Sequence, residues 1–372
     1  MIGHDAGNLV FVLSAAVDTA VLCAAVAWAT RGEPLGSRLL AALVAGVAAL
    51  AAKGLVLLWI GVSVPFGVMH VVWLDLVVAV PVAALLLLAL TRRRAGRLVR
   101  AGAVAACLLA PVGAYASFVE PERLVLERAE VELDPGRAGE RPLRIGVIAD
   151  LQCEEVGGHE REAVERLMAE RPDLILLAGD YHQGSDGKFD EELPALRSLM
   201  RRLRAPGGVF AVQGDVESVP EARRVMAGTG VRLLVNEVET VRVRDRRLSI
   251  AGLGLAYWSS AARRTLAELE RRGGVGDIRM ALAHRPDAVR LLRPDTRVDL
   301  TVAGHTHGGQ VQLPLIGPLT ISSRVPRQVG AGGLHELDGR WIYVSRGVGA
   351  ERAQAPRLRL GAVPEVSLIT LR

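Results

Sequence analysis

The chain has 372 residues, of which half are apolar and only 4% are aromatic, and its formal net charge is +5. This length is sufficient for more than one domain. The positive charge comes from scattered arginines and not from a dense basic patch, so we expect no nucleic-acid partner. Cys23 and Cys107 lie in apolar runs and Cys153 is far from both, which excludes a disulfide framework.

Charged residues are rare in the first third of the chain. Up to Glu120 there are eight Lys/Arg and five Asp/Glu, against 37 and 35 in the remainder. Four apolar stretches occupy this part, and each approaches the roughly 20 residues that a helix needs to cross a bilayer. Four such stretches in succession argue against buried helices of a soluble protein. We predict a four-helix transmembrane region over residues 1–120, with helices at about 9–29, 39–62, 68–90 and 101–118, and a second domain over residues 121–372.

Arginines in the connecting loops predict the orientation of this region. The first loop and the loop after the third stretch carry arginines, whereas the second loop, around Val64–Gly67, has no basic residue. Arginine-rich loops stay in the cytoplasm. We therefore expect a multi-pass protein of the cell membrane whose C-terminal domain is extracytoplasmic. The arginines in question are Arg31, Arg38, Arg92, Arg93, Arg94, Arg97 and Arg100.

Three charged residues, Asp18, Lys53 and Asp75, lie inside the apolar stretches, where an unpaired charge is costly. The predicted topology places all three in the outer half of the membrane. We hypothesise that Lys53 pairs with one or both aspartates. The alternative is that each side chain reaches the membrane surface separately.

The fourth stretch has a second interpretation. Arg92–Arg94, a short apolar core and the small residues of Ala114–Ala116 resemble a signal sequence with a cleavage site. Cleavage would release the second domain, whereas a retained helix would anchor it. The three preceding stretches favour the anchor.

In the second domain, short apolar runs alternate with segments whose apolar residues have helical spacing. After an alternating strand at Leu124–Leu133 comes a linker with proline and glycine, Asp134–Pro142. The pattern then predicts helices at Glu160–Glu170, Leu193–Leu203 and Ala261–Arg271, a hairpin at Arg242–Gly252, and strands at Leu143–Ala149, Leu174–Ala178, Gly208–Val212, Met280–Ala283 and Val298–Ala303.

Five of these strands end in a carboxylate, an amide or an imidazole. Open α/β sheets bind ligands at the carboxyl ends of their strands, so these groups are expected to converge. Mixed oxygen and nitrogen donors suit a pair of divalent transition ions, which can clamp a phosphate and generate a hydroxide nucleophile. The candidate ligands are Asp150, Gln152, Asp180, Asp215, His284, His305 and His307.

The order of these groups resembles a known family. Calcineurin-like metallophosphoesterases have, in this order, the motifs Asp-x-(His), Gly-Asp, Gly-Asn-His-Asp, His and Gly-His-x-His. Residues 124–372 resemble that family. The stretch Gly304–Gln310 with its nearby Leu-Pro resembles the membrane-associated branch, which includes lipid pyrophosphatases acting on UDP-2,3-diacylglucosamine. The resemblance implies an α+β fold in which two facing β-sheets are flanked by helices.

The resemblance also implies the metal ligands. By position, Asp180 bridges two divalent ions. The first ion would be held by Asp150, Gln152, Asp180 and His307, and the second by Asp180, Asp215, His284 and His305. Manganese, iron and zinc all fit such a mixed set, and its oxygen content slightly favours manganese.

Three motif positions depart from the family pattern. Gln152 stands where the family has histidine, and its amide is a weaker, neutral donor. Asp215 stands where the family has asparagine, and its added charge favours the second ion. Val216 and Glu217 replace a His-Asp pair whose histidine contacts the phosphate and helps to protonate the leaving group. General acid catalysis contributes roughly 100- to 10,000-fold, so a slow enzyme or an altered mechanism is expected.

Two nearby residues are candidates for the missing catalytic group, alongside Asp180 and Asp215. They are His182, which is otherwise a surface loop residue, and Glu217. Arg346 either faces phosphate or is a surface arginine.

Two other residues near the motifs have simpler interpretations. His159 is interpreted as a solvated helix end. Cys153 is interpreted as a small buried residue, with a soft metal ligand as the alternative.

The predicted function is metal-dependent hydrolysis of a phosphoester or pyrophosphate bond, in a phosphorylated small molecule or a membrane-borne lipid. Two alternatives remain: a pseudoenzyme that keeps its metal or binds a phosphorylated ligand, and a transporter with a regulatory soluble domain. The retained Asp180 and the two histidines of the last motif favour the enzyme.

Overall fold

The structure is a computed structural model that describes residues 4–31, 34–59, 62, 66–91, 95–133, 137, 139, 141–184, 187–274, 276–352 and 354–372. The chain forms two compact units. One comprises Met1–Val119 with Arg352–Arg357, and the other comprises Glu120–Glu351 with Leu358–Arg372.

The first unit contains four apolar spans of 22 to 26 residues, long enough to cross a membrane. The prediction of four membrane helices is therefore confirmed. Arg92, Arg93, Arg94 and Val64, which contributed to the predicted orientation, lie outside the described residues. The spans are built from helices α1 (His4–Ala29), α2 (Leu35–Trp59), α3 (Phe66–Leu74), α4 (Val80–Thr91), α5 (Arg97–Cys107) and α6 (Leu109–Ala114), with π-helical turns at Asp75–Ala79 and Tyr115–Val119.

The three charges inside the spans form one cluster. The Lys53 ammonium contacts the carboxylate of Asp18 and lies 3.2 Å from Oδ2 of Asp75. Asp75 opens the π-helical turn between α3 and α4. The hypothesis that Lys53 pairs with the aspartates is confirmed, and it pairs with both. Because a lone charge is costly in this environment, Lys53 and the aspartates stabilise one another by pairing.

The second unit is built on two six-stranded sheets. In the first sheet the strand order is β1-β14-β2-β3-β4-β5, and β2 to β5 run parallel. Strand β3 is a continuous apolar run because both faces of this sheet are covered. The strands are β1 (Val125–Val131), β2 (Leu143–Ile148), β3 (Leu174–Leu177), β4 (Val209–Ala211), β5 (Val231–Leu233) and β14 (Glu365–Leu371).

The second sheet has the order β12-β13-β9-β8-β7-β6. Its inner strands β7, β8, β9 and β13 are parallel, and the edge strands β6 and β12 are antiparallel. The strands are β6 (Glu237–Val243), β7 (Arg246–Gly252), β8 (Ile278–Leu282), β9 (Leu300–Ala303), β12 (Gly333–Leu337) and β13 (Arg340–Val344). Strands β6 and β7 form a hairpin that begins at Glu237, five residues before the predicted start at Arg242.

The two sheets face each other across one core. Val147 and Leu176 of the first sheet share a buried apolar cluster with Ile250, Met280 and Val302 of the second. Separate clusters join the outer faces to helices: α7, α8 and α9 cover the first sheet and α10 covers the second. The predicted fold, two facing sheets flanked by helices, is confirmed. The helices are α7 (Gly158–Ala169), α8 (Lys188–Met200), α9 (Val219–Met226), α10 (Ser260–Arg271) and α11 (Arg327–Gly330).

Several elements differ from the sequence-based prediction. Helix α8 begins at Lys188, five residues before the predicted start, and keeps Pro194 inside it. Helix α9, strand β5 and a small hairpin of β10 (Gln312–Leu313) and β11 (Gly317–Pro318) were not predicted. These elements are short, so their periodicity is too weak to detect without their packing partners.

Candidate metal centre

The predicted ligands follow the carboxyl ends of β2, β3, β4, β8 and β9. Five of them adopt a left-handed backbone conformation, which is uncommon for residues other than glycine. Such conformations cost roughly 1–3 kcal/mol each and persist where the surrounding structure enforces them, typically at functional sites. The residues and their φ angles are Asp150 (49°), Gln152 (36°), Asp180 (59°), His305 (74°) and His307 (50°).

Asp215, His284 and His305 form one group of potential ligands, whose donor atoms all lie within 4.8 Å of one another. Nε2 of His284 and Nδ1 of His305 lie 3.3 and 3.2 Å from the two carboxylate oxygens of Asp215. The other ring nitrogen of each histidine is 2.8 Å from a backbone carbonyl, that of Ala178 for His284 and that of Ser322 for His305. With these carbonyls as acceptors, each ring directs its second nitrogen into the cluster, where it can bind a metal once that nitrogen carries no proton.

Asp150, Asp180 and His284 form a second group within the same distance limit. Both oxygens of Asp150 accept hydrogen bonds from the backbone N–H of His305, at 3.0 and 3.1 Å. Oδ2 of Asp180 lies 3.4 Å from Nε2 of His284. The two groups therefore share His284 and form one continuous cluster.

Asp180 is held in place by its neighbours in the turn after β4. Its Oδ1 accepts hydrogen bonds from the backbone N–H groups of Asp215 (2.7 Å) and Val216 (3.1 Å). Its Oδ2 accepts a hydrogen bond from Nε2 of Gln152 at 3.0 Å. A Cβ atom at Gly214 would overlap the Asp180 carboxylate, so this close approach requires glycine.

The charges of the cluster fit a divalent cation. Burial opposes a charge on His284, but Asp180, Asp215 and Asp150 outweigh it and raise its pKa to about 10. Burial raises the pKa of the Asp150 and Asp180 carboxyls. Burial would also raise the pKa of Asp215, yet its hydrogen bonds with the two histidines lower it below the usual range. The carboxylates that hold a proton on His284 would hold a cation in its place.

His307 is buried but lies outside both ligand groups. Burial and the neighbouring Arg359 lower its pKa, so the imidazole is neutral. Nη2 of Arg359 lies 3.1 Å from Nδ1 of His307. Because a guanidinium can only donate, Nδ1 accepts and the ring proton is on Nε2. Ligation through Nε2 would require that proton to leave, so the ligand role of His307 stays a prediction.

Glu217 ties the two Gly-Asp turns together. Its Oε1 accepts hydrogen bonds from the backbone N–H groups of Gly214 (2.6 Å) and Asp180 (3.1 Å). Its Oε2 accepts one from the N–H of Tyr181 at 3.0 Å. Burial, with Asp180 nearby, raises its pKa to about 7. These contacts describe a residue that positions the ligands, and they give no support to a catalytic role.

Two histidines singled out in the sequence have structural contacts. His182 is buried, with Nε2 3.1 Å from the carbonyl of Glu154 and its ring packed against Phe189. These contacts favour a packing role in the loop. The interpretation of His159 as a solvated helix end was wrong. Its Nε2 lies 3.0 Å from the carbonyl of Val348, because the start of α7 packs on that loop.

Arg346 and Cys153 also have contacts of their own. Arg346 forms ion pairs with Glu127 (2.7 Å) and Glu365 (2.5 Å), so neither phosphate contact nor a plain surface position describes it. Cys153 is fully buried, and its thiol lies 3.5 Å from the carbonyl of Tyr181. This agrees with its interpretation as a small buried residue.

Sequence reasoning missed Arg285. Its Nη2 lies 2.9 Å from Oδ2 of Asp215, and the side chain remains one-third exposed. It directly follows His284 at the end of β8, which was the available signal. Arg285 also lines a cleft of about 580 Å³ together with Tyr257, Trp258, Asp287, Ser322, Ser323 and Arg324.

Comparison with known proteins supports this assignment of the fold. Residues 143–309 match the family model described as calcineurin-like phosphoesterase. The metallophosphoesterase YkuE of Bacillus subtilis is 28% identical over 281 residues, covering 73% of this chain and 94% of YkuE. The phosphodiesterase YaeI of Escherichia coli is 28% identical over 267 residues, covering 69% of this chain and 92% of YaeI.

A more distant relative has a lipid-related name. The UDP-2,3-diacylglucosamine pyrophosphatase LpxG of Chlamydia muridarum is 22% identical over 315 residues, covering 68% of this chain and 91% of LpxG. Together with the two facing sheets and the candidate ligands at their strand ends, these matches show that residues 143–309 form a domain of the calcineurin-like phosphoesterase type.

Proposed function

We propose that the protein hydrolyses a phosphoester or phosphoanhydride bond with two divalent ions held at the strand ends. The observation that carries this proposal is the shared position of His284. It joins the group Asp215–His284–His305 to the group Asp150–Asp180–His284, each with its donor atoms within 4.8 Å. When bound, two divalent ions would polarise the phosphate and lower the pKa of water enough to supply a nucleophile at neutral pH.

The protein's own residues would hold the ions and orient the phosphate. Asp180, clamped by two backbone N–H groups, is suited to lie between the ions. Val216 offers no polar group where the family has histidine. Arg285, beside Asp215 and open to the cleft, provides a guanidinium that can donate two hydrogen bonds to phosphate oxygens. Arginine stays protonated at neutral pH, so it would stabilise charge without serving as the proton donor.

The finer parts of the proposal are the metal, the substrate and the side of the membrane. Manganese is preferred because carboxylates and the Gln152 amide make the set rich in oxygen. A membrane-borne lipid substrate is supported by the four apolar spans and by the name of the relative LpxG. An extracytoplasmic domain is supported by the arginines of the first and third loops.

The test uses the full chain in lipid nanodiscs, purified without added metal. Bound metal per chain is measured first, followed by hydrolysis of bis-p-nitrophenyl phosphate and of lipid pyrophosphates with added manganese. We expect about two ions per chain and turnover that Asp180→Asn abolishes. Turnover that survives Asp180→Asn would contradict the proposal.

A metal-binding domain without turnover is the second candidate. It is favoured by Gln152 and Val216, which replace a ligand and a proton-transfer residue of the family motifs. In that case the full chain would bind metal, and Asp180→Asn would remove it. Neither class of substrate would be hydrolysed at any manganese concentration.

A further inference from the structure

The phosphoesterase unit has an unusual concentration of exposed apolar side chains. Among its described residues, five large apolar side chains are more than one-third exposed, namely Trp258, Leu315, Ile316, Leu319 and Trp341. Three of the five lie within residues 315–319, and Leu315 is completely exposed. Single exposed apolar residues are common on soluble proteins, but a cluster marks an interaction surface.

This cluster is the tip of the small hairpin, residues 312–319, which we call the apolar hairpin. Strands β10 and β11 pair Gln312 with Pro318 and Leu313 with Gly317. The N–H of Gln312 also donates to the carbonyl of Leu360 at 2.7 Å. Leu315 is held in the left-handed region, at a φ of 67°. The tip is therefore a defined turn that presents leucine and isoleucine outward at a conformational cost.

The apolar hairpin belongs to the same loop system as the metal centre. It follows His305 and His307 directly in sequence. The carbonyl of Ser322, just beyond the hairpin, lies 2.8 Å from Nε2 of His305 and so orients that ligand. The residues that bind a partner at the hairpin are therefore close, along the chain, to the candidate ligands His305 and His307.

The chain segment that contains the hairpin is basic. From Leu300 to His335 the sequence has no aspartate or glutamate. The same stretch contains Arg324 and Arg327, which are both exposed. An exposed apolar tip flanked by basic residues fits the interface of a bilayer that contains anionic lipids.

We propose that the apolar hairpin inserts its tip into the interfacial layer of the membrane that holds the four apolar spans. Because the spans tether the domain to the bilayer, the effective concentration of lipid near the hairpin is high. A low intrinsic affinity of the tip for lipid is therefore sufficient for insertion. A second copy of this chain is a less suitable partner for the hairpin than the bilayer. Three side chains bury far less than the roughly 1,000 Å² of a stable protein interface. Insertion would bring lipid headgroups to the loop that carries His305.

The test measures membrane depth in the full chain and needs no turnover, so it is independent of the proposed hydrolysis. A spin label is attached to Ile316→Cys after the native Cys23, Cys107 and Cys153 are changed to alanine. The matched control carries the label at Trp341→Cys, another exposed apolar position of the same unit. Both variants are placed in nanodiscs of phosphatidylcholine and phosphatidylglycerol. A thermal unfolding midpoint equal to that of the unlabelled protein shows that each variant is folded.

We expect the label at position 316 to report an immersion of about 5–10 Å. Compared with the label at position 341, this label should be several-fold more accessible to oxygen. It should be several-fold less accessible to a water-soluble nickel complex. Equal accessibilities at the two positions would overturn the proposal. Dipolar broadening between labels would instead identify a second copy as the occupant. Protection that appears only after a phosphorylated lipid is added would identify the substrate's acyl chains. Either result would also overturn the proposal.

Discussion

Changing Glu217 to glutamine separates a positioning role from a catalytic one. The carboxylate accepts three backbone hydrogen bonds, from Gly214, Asp180 and Tyr181. Glutamine can keep an oxygen for the first two, but its NH₂ group then faces the N–H of Tyr181. One buried donor loses its acceptor, which costs about 1–3 kcal/mol. Alanine would remove all three bonds at once and should cost about 4 kcal/mol or more.

The positioning role predicts that Glu217→Gln weakens metal binding and stability together. For a domain of roughly this size, 1 kcal/mol corresponds to about 2–4 °C in the midpoint of thermal unfolding. We expect a lower midpoint in detergent and less metal per chain at limiting manganese. Turnover per bound metal pair should stay near that of the parent protein.

The measurements are thermal unfolding, metal content and turnover normalised to bound metal. Glu221→Gln is the matched control. Glu221 caps α9 by bonding Ser218 near the surface, so its loss should cost no more than about 1 kcal/mol. Suppose Glu217→Gln kept full metal content and the parent midpoint but lost more than about 100-fold in turnover. Glu217 would then be a proton donor, and the positioning argument would be refuted.

Three further substitutions test other parts of the structure. Lys53→Met leaves the carboxylates of Asp18 and Asp75 without their countercharge. We expect the free energy of unfolding in detergent to fall by about 3–5 kcal/mol, measured as a lower midpoint of thermal unfolding. An unchanged midpoint would contradict the ion-pair cluster. Gly214→Ala places a Cβ atom on the Asp180 carboxylate, so metal content should drop while the membrane spans still fold; full metal occupancy would show that the turn relaxes. Arg285→Met should keep the metal but lower the turnover of a phosphodiester by about 100-fold, and parent-like kcat/KM would remove Arg285 from the proposed phosphate site.

The sequence by itself was sufficient for the architecture and for most of the side chains that meet in the candidate metal centre. The four apolar spans follow from length and hydropathy alone. A buried strand such as β3 is an unbroken apolar run, and a polar residue soon after such a run lies at the carboxyl edge of a sheet. That rule identified Asp150, Asp180 and His284, because strand direction and chain order carry the information.

Only the tertiary structure decided how distant side chains meet. It showed that Lys53 contacts both aspartates, a choice that no local pattern encodes. It placed Arg359 against His307, 52 residues earlier in the chain, and so set the proton position on that imidazole. It showed that Glu217 is buried and accepts hydrogen bonds from three backbone N–H groups. Each of these outcomes depends on side-chain direction and on which group lies opposite. Both are set when helices pack in the first unit and when the sheets and their loops pack in the second, not by the sequence around each residue.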